Sequence, residues 1–103
     1  MTQFDKAIRD KIPEIIKESG KNCNVKKLTD SEFLTQLEKK LVEELSEYQE
    51  SKNVEELADI LEVIYRISEL KGITSDELDS IKNEKAKKRG KFDDNLFLVD
   101  SDK

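Results

Sequence analysis

The sequence contains no histidine and no tryptophan, and it has a single cysteine, Cys23. Without histidine, Ser-His-Asp catalysis, Cys-His catalysis and histidine-ligated zinc are excluded. One cysteine forms neither an intramolecular disulfide nor a thiolate cluster, and we interpret Cys23 as a partly buried or incidental thiol. Any chemistry must therefore use carboxylates, lysine, arginine, hydroxyl groups and a metal ion that they bind.

Long apolar segments are also missing from the sequence. No stretch approaches the ~20 apolar residues of a membrane span, and the charged N-terminal region lacks the apolar run of a signal peptide. We therefore expect a cytoplasmic protein that does not contact a membrane. The net charge of −5 argues against a nucleic-acid polymer as partner, since such binding usually needs a basic surface.

Hydrophobic residues make up only 35% of the 103 residues, while 42% are charged. This composition is typical of thin helices that expose most of their surface. We expect one domain spanning 1–103. Because small domains are only marginally stable, we also expect a homodimer or homotetramer to complete the core.

The first two predicted helices follow from apolar spacing and from residues that begin or end helices. Isoleucines at helical spacing predict a short helix that is capped by Asp10, carries Pro13 in its first turn and ends near Gly20. The polar segment 21–28 is a predicted loop. A capping box at 29–32 then opens an amphipathic helix over about 30–51.

The second half of the chain predicts two more helices. Asn53 caps a helix that ends at Gly72, and a second capping box at 74–77 opens a helix that runs through Lys88. The apolar cluster at 96–99 is predicted to form a short strand or to pack on the bundle. The expected fold class is therefore all-α, a helical bundle.

Two near-repeats carry the most information about function: VEELSE at 42–47 and VEELAD at 54–59. Each contributes two acids three residues apart, and the two repeats lie on different predicted helices. The acidic pairs are Glu44 with Glu47 and Glu56 with Asp59.

A helical wheel places the first acid of each pair on the apolar face of its helix, at about 100° per residue. Glu44 and Glu56 fall inside the apolar arcs, and Glu47 and Asp59 lie at their edges. Glu43 and its counterpart in the second repeat point towards solvent. A carboxylate on a core face needs compensation, which few basic residues in these arcs provide.

The short break at 51–53 determines whether these acids meet. If the two helices fold back as a hairpin, Glu47 and Glu56 lie at similar distances from the turn, and Glu44 and Asp59 share the next level about 4.5 Å further on. Four converging carboxylates without a soft ligand suit Mg²⁺ or Mn²⁺. Isolated acidic pairs on so charged a helix are more often solvated surface.

With these motifs, the sequence resembles the all-α nucleoside triphosphate pyrophosphohydrolase superfamily, which includes MazG-like proteins and phosphoribosyl-ATP pyrophosphohydrolase. Its ExxE and ExxD signature is matched by the two acidic pairs, while RDKIPEII at 9–16 and KKRGKF at 87–92 are similar to the opening and closing segments of a MazG-like subgroup. Two features depart from the pattern: the spacer 48–55 is short, and RGKF replaces the frequent RGGF.

The resemblance implies a four-helix catalytic unit, an oligomer and substrates that are often non-canonical nucleotides. It also implies that Glu44, Glu47, Glu56 and Asp59 hold Mg²⁺. Water would then attack the α-phosphorus of a nucleoside triphosphate, and pyrophosphate would leave. Glu44 or Glu47 is expected to orient that water.

Several basic residues are candidates to bind the phosphates, because guanidinium and ammonium groups both suit phosphate. A solvated basic helix end explains the C-terminal group equally well. The candidates are Lys85, Lys88 and Arg89, with Arg9 and Lys11 as weaker ones. Phe33, Tyr48 or Tyr65 would recognise a base, although core packing is the more ordinary role for each of them.

Two other functions compete with this hypothesis. A non-catalytic acidic helical module that dimerises or binds a partner helix explains the leucine spacing but not the acids on core faces. Phosphoribosyl-ATP hydrolysis stays within the same superfamily, but the segments at 9–16 and 87–92 resemble the MazG-like subgroup more closely. The sequence leaves the base, the sugar and the number of metal ions open.

Overall fold

The computed structural model describes residues 2–102, and within that range it contains four helices and no strand. This confirms the prediction of an all-α helical bundle. No helix in the described range is both long and apolar enough to cross a lipid bilayer. The helices are α1 (Ile12–Glu18), α2 (Asp30–Ser51), α3 (Val54–Leu70) and α4 (Ser75–Arg89).

Helix α1 begins later than predicted, so the prediction of Asp10 as its cap is wrong. Lys11 occupies the N-cap position and makes no side-chain capping hydrogen bond. Pro13 lies in the first turn and has no backbone N–H, which reduces the number of donors that a cap must satisfy. The segment that follows α1, up to the N-cap of α2, is non-helical, as predicted.

Helix α2 has the predicted bounds because both of its ends are encoded locally. The Thr29 hydroxyl accepts from the Glu32 N–H at 3.2 Å, and the Glu32 carboxylate accepts from the Thr29 N–H at 3.1 Å. At the other end, Lys52 adopts a left-handed conformation with φ 59°. Asn53 then caps α3 by accepting from the Glu55 N–H at 3.0 Å.

Helix α4 begins with a second reciprocal capping box, between Thr74 and Glu77. The Tyr65 hydroxyl ties it to α3 by donating to Asp79 at 3.0 Å. The Ser68 hydroxyl of α3 donates to the Ile73 carbonyl, in the loop between the two helices, at 2.8 Å. Helix α3 packs against both α2 and α4, whereas α2 and α4 are not neighbours. The described chain is therefore an open bundle rather than a closed four-helix one.

The hydrophobic core is small. Among the described residues, Ala7, Leu37 and Val63 are its buried hydrophobic members, and partly buried side chains such as Phe33 surround them. The radius of gyration is 18.0 Å, against about 13 Å for a compact domain of this length. The chain is thus elongated and leaves apolar surface uncovered.

Two exposed apolar regions depart from the sequence predictions. Leu45 and Leu57 belong to the apolar arcs predicted to face the core, yet they are 45% and 46% exposed, and Leu61, one turn after Leu57, is 48% exposed. The predicted strand or packing of 96–99 is wrong, since these residues have neither helix nor strand and remain largely exposed. A lone strand without a sheet partner has no backbone hydrogen bonds to gain.

Candidate metal centre

The hairpin of α2 and α3 brings the four predicted carboxylates together. Glu44, Glu56 and Asp59 each offer a carboxylate oxygen, and these three atoms lie within 4.8 Å of one another. A second trio, Glu43, Glu44 and Glu47, meets the same limit. Glu44 belongs to both trios and therefore lies at the middle of the cluster.

Glu44 is buried, with only 6% of its surface exposed. Its Oε1 atom lies 3.6 Å from Lys40 Nζ, one turn earlier on α2, but its Oε2 atom has no hydrogen-bond partner in the described part of the chain. Burial raises the pKa of the Glu44 carboxyl, the nearby charge of Glu47 raises it further, and Lys40 opposes both effects. A buried carboxylate with one unsatisfied oxygen is energetically costly, and a bound cation would offset that cost.

Glu56 and Asp59 lie on the α3 side of the cluster, and both are partly buried. Desolvation raises the pKa of the Glu56 carboxyl, and the negative charges of Glu47 and Asp59 add to the effect. Asp59 differs because it accepts a hydrogen bond from Arg9 Nη2 at 2.7 Å. Mutual repulsion of the carboxylates is therefore only partly balanced within the chain.

Glu43 was predicted to point towards solvent, and this prediction is wrong. It is partly buried and lies in one of the two carboxylate trios, with Lys6 Nζ 3.5 Å from its Oε1 atom. Residues four apart on a helix are neighbours, so the spacing of Glu43 and Glu47 was the signal that indicated this contact.

The donor set fits a hard divalent cation. All the ligands are carboxylate oxygens, which Mg²⁺ and Mn²⁺ accept, and no sulfur or imidazole is present to favour zinc. The unpartnered Glu44 Oε2 provides a free ligand atom at the middle of the cluster. Glu44, Glu56 and Asp59 form one trio able to hold such an ion, and Glu43, Glu44 and Glu47 form the other.

The predicted phosphate-binding residues separate into two groups. Arg9 reaches the carboxylate cluster, whereas Lys11 occupies the N-cap position of α1 and forms no ion pair with the cluster in the described range. The remaining candidates lie near the C-terminal end of α4, which does not contact α2, and two of them line a shallow groove beside Ile81. These remaining candidates are Lys85, Lys88 and Arg89, of which the lysines line the groove.

The three candidate aromatic residues have structural surroundings. Phe33 packs against the core, and Tyr65 links α3 to α4 through Asp79. Tyr48 is partly buried near the turn, with Lys52 Nζ 5.9 Å from its ring centroid. None of these contacts places an aromatic ring in the role of base recognition.

Comparisons of the chain with protein-family models, with curated proteins and with solved structures found no match. The function of the chain is therefore inferred from the geometry of the carboxylates and from the chemistry that this geometry supports.

Proposed function

We propose that this chain is a Mg²⁺-dependent hydrolase that cleaves nucleoside triphosphates into nucleoside monophosphate and pyrophosphate. Non-canonical nucleotides are included among its substrates, and Mn²⁺ is expected to replace Mg²⁺. The resemblance of the sequence to the all-α nucleoside triphosphate pyrophosphohydrolases suggests the reaction. Such a hydrolase would act in the cytoplasm, the location that the sequence predicts.

The observation that carries the proposal is the unpartnered Oε2 atom of buried Glu44, in the middle of carboxylates from two helices. A structural carboxylate at such a position would be expected to have a full set of hydrogen bonds. A non-catalytic helical module would gain nothing from this arrangement, because an unpaired buried acid destabilises the fold.

The proposed division of labour follows from the positions of the acids. Glu44, Glu47, Glu56 and Asp59 would hold the metal ion, which supplies Lewis-acid activation and offsets the negative charge of the triphosphate. Water attacks the α-phosphorus, the bond from that phosphorus to the bridging oxygen breaks, and pyrophosphate leaves. A carboxylate of the cluster takes the proton of the water, and Glu44 and Glu47 are the candidates for this role.

Charge is the main obstacle to this function, because the protein carries a net charge of −5 and its substrate is a polyanion. A bound divalent ion reverses the local field at the cluster. Arg9 already lies beside Asp59, so it is the basic residue of this chain that is best placed to contact a phosphate of the substrate. Lys11, Lys85, Lys88 and Arg89 are further candidates without a contact to the carboxylates.

The test is pyrophosphate release from a panel of canonical and modified NTPs and dNTPs, including phosphoribosyl-ATP. Each reaction is run with Mg²⁺, Mn²⁺ or EDTA. Glu44→Gln and Glu56→Gln remove central ligands, while Glu38→Gln and Glu62→Gln are matched controls, because both acids are exposed on the same two helices. We expect metal-dependent release that the first two substitutions abolish and the two controls retain.

Two results would contradict the proposal. The first is an absence of pyrophosphate release from every nucleotide by folded protein that also fails to bind Mg²⁺ in calorimetry. The second is equal activity in the Glu44→Gln, Glu56→Gln and control proteins. Release from phosphoribosyl-ATP alone would instead identify the more specialised activity of the same superfamily.

We also propose that the chain acts as a homodimer or homotetramer. The buried hydrophobic core in the described range is limited to three residues, and the bundle is open because α2 and α4 do not meet. The exposed leucines of the α2–α3 hairpin, Leu45, Leu57 and Leu61, provide apolar surface that a second copy would cover. Burial of apolar surface between subunits is a common way to stabilise a small domain.

A further inference from the structure

The segment before α1 directs two basic side chains towards the candidate metal centre. Lys6 Nζ lies 3.5 Å from Glu43 Oε1, and Arg9 Nη2 lies 2.7 Å from Asp59 Oδ1. These acids belong to different carboxylate trios and to different helices. The segment thus supplies one cation to each side of the cluster.

Ala7 holds this segment in place. It is only 6% exposed and belongs to the buried core with Leu37 of α2 and Val63 of α3. The Arg9 side chain, in contrast, is 55% exposed. Because Ala7 anchors the backbone, the guanidinium can leave Asp59 for solvent without any change to the core.

Arg9 and a divalent cation would compete for the same carboxylate. The guanidinium neutralises part of the negative charge on Asp59 while no other cation is present, which lowers the repulsion among the carboxylates. The same positive charge repels an incoming divalent ion. Removing a unit charge next to a half-exposed site should strengthen binding of a divalent cation by about three- to tenfold at low salt.

We propose that Arg9 is a displaceable counter-ion of the metal centre. It holds Asp59 in the metal-free protein and releases it when Mg²⁺ binds, and the freed guanidinium then contacts a phosphate of the substrate. The exchange involves only non-covalent contacts. The inference rests on the proposed metal-dependent function, but it concerns the order in which cations occupy Asp59.

The first experiment is calorimetric titration of the full chain with Mg²⁺ alone at low and high salt. Arg9→Gln removes the counter-ion and is expected to bind Mg²⁺ about three- to tenfold more tightly at low salt, with a smaller difference at high salt. Arg9→Lys retains the charge and should stay close to the wild type. Lys17→Gln is the matched control, because Lys17 is exposed on α1 and has no ion pair in the described range.

The second experiment measures binding of a non-hydrolysable nucleoside triphosphate with an α,β-methylene bridge, at saturating Mg²⁺. Arg9→Gln should bind this analogue more weakly, although it binds Mg²⁺ more tightly. Opposite shifts for metal and nucleotide are expected for a cation that exchanges partners. A residue needed only for stability would weaken both, or neither once the protein is folded.

Three outcomes are informative. Weaker Mg²⁺ binding by Arg9→Gln overturns the inference and makes Arg9 an outer-shell support of Asp59. Unchanged Mg²⁺ binding also overturns it, and the proposed function stands if the wild type still releases pyrophosphate. If the wild type binds no Mg²⁺, both proposals fail together. Circular dichroism establishes that each variant is folded before titration.

Discussion

Lys40 balances only one side of the Glu44 carboxylate. Its Nζ atom lies 3.6 Å from Oε1, and both side chains are largely buried, while Oε2 has no partner in the described range. Lys40 is one turn from Glu44 on the same helix, at the i,i+4 spacing that makes side chains neighbours. The proposed divalent cation would supply the positive charge that Lys40 does not provide at Oε2.

Mg²⁺ should therefore stabilise the folded protein. An ion that binds only the native state, at a free concentration 100 times its dissociation constant, adds about 2.7 kcal/mol to the free energy of unfolding. For a domain of this size, this corresponds to a rise in Tm of roughly 10–20 °C. Differential scanning calorimetry with Mg²⁺ and with EDTA measures this shift. Glu44→Gln should remove the shift and Glu62→Gln should retain it, whereas an equal shift in both variants would place the ion elsewhere.

Without metal, the stability of the wild type should depend on pH through Glu44. Its pKa is raised on folding, mainly by burial, so the native state binds this proton more tightly than the unfolded chain. The resulting stabilisation is fully present below the ordinary carboxyl pKa of 4.5 and is lost as the pH rises through the raised native value. Above that raised native value the ionised carboxylate is an unfavourable buried charge.

Glu44→Gln tests this pH dependence directly in EDTA. The variant should be more stable than the wild type at pH 7, by about 1 kcal/mol, and the difference should shrink as the pH falls towards the ordinary carboxyl pKa. Thermal unfolding between pH 4 and pH 8 provides the comparison, with Glu38→Gln as the exposed control. A less stable Glu44→Gln at pH 7 would mean that the Lys40 ion pair outweighs the burial of charge.

The N-terminal cap of α2 should contribute to stability but not to metal binding. Thr29→Ala removes the hydroxyl that accepts a hydrogen bond from the Glu32 N–H. The substitution is expected to lower the free energy of unfolding by about 1 kcal/mol. Glu44 lies four turns further along the helix, so the affinity for Mg²⁺ should be unchanged under conditions in which the variant is folded. Denaturant unfolding and calorimetric titration separate the two effects. A joint loss of both would show that the cap positions the acidic cluster.

Self-association should depend on the exposed leucines of the α2–α3 hairpin. Leu57→Gln places a polar group on a side chain that is already 46% exposed, so the fold of one chain should survive. We expect the wild type to sediment as a dimer or tetramer. The dissociation constant of the variant oligomer should be at least about tenfold higher than that of the wild type, because burying one apolar side chain contributes about 1.5–3 kcal/mol. Val25→Gln, in an exposed loop, is the control. A monomeric wild type would contradict the proposed oligomer.

The sequence predicts those parts of the structure that short-range interactions determine. Both capping boxes, the bounds of α2 and the break before Asn53 follow from residues within four positions of each other. The burial of Glu44 follows from helical periodicity and is confirmed at 6% exposure. The convergence of the acidic pairs depends only on these features and on a short turn.

Other features depend on contacts between distant parts of the chain. Nothing local pairs Arg9 with Asp59, which are 50 positions apart, or places Ala7 in the core. The prediction of Asp10 as the cap of α1 was wrong because Pro13 has no backbone N–H, and the Asp10 carboxylate would otherwise have accepted a hydrogen bond from that group. Apolar periodicity identified Leu45 and Leu57 as an apolar face, but it did not show that one chain leaves that face uncovered.

The two-residue turn at Lys52 and Asn53 limits how this protein can be engineered. Lys52 reverses the chain in a left-handed conformation and donates its N–H to the Tyr48 carbonyl at 2.8 Å, and Asn53 starts the next helix at once. One inserted residue that extended either helix would rotate Glu56 by about 100° relative to Glu44. Tags, loop insertions and new chain ends therefore belong in the segment at 21–28. The carboxylate cluster therefore depends on the length of this turn as much as on the identity of the acids that form the cluster.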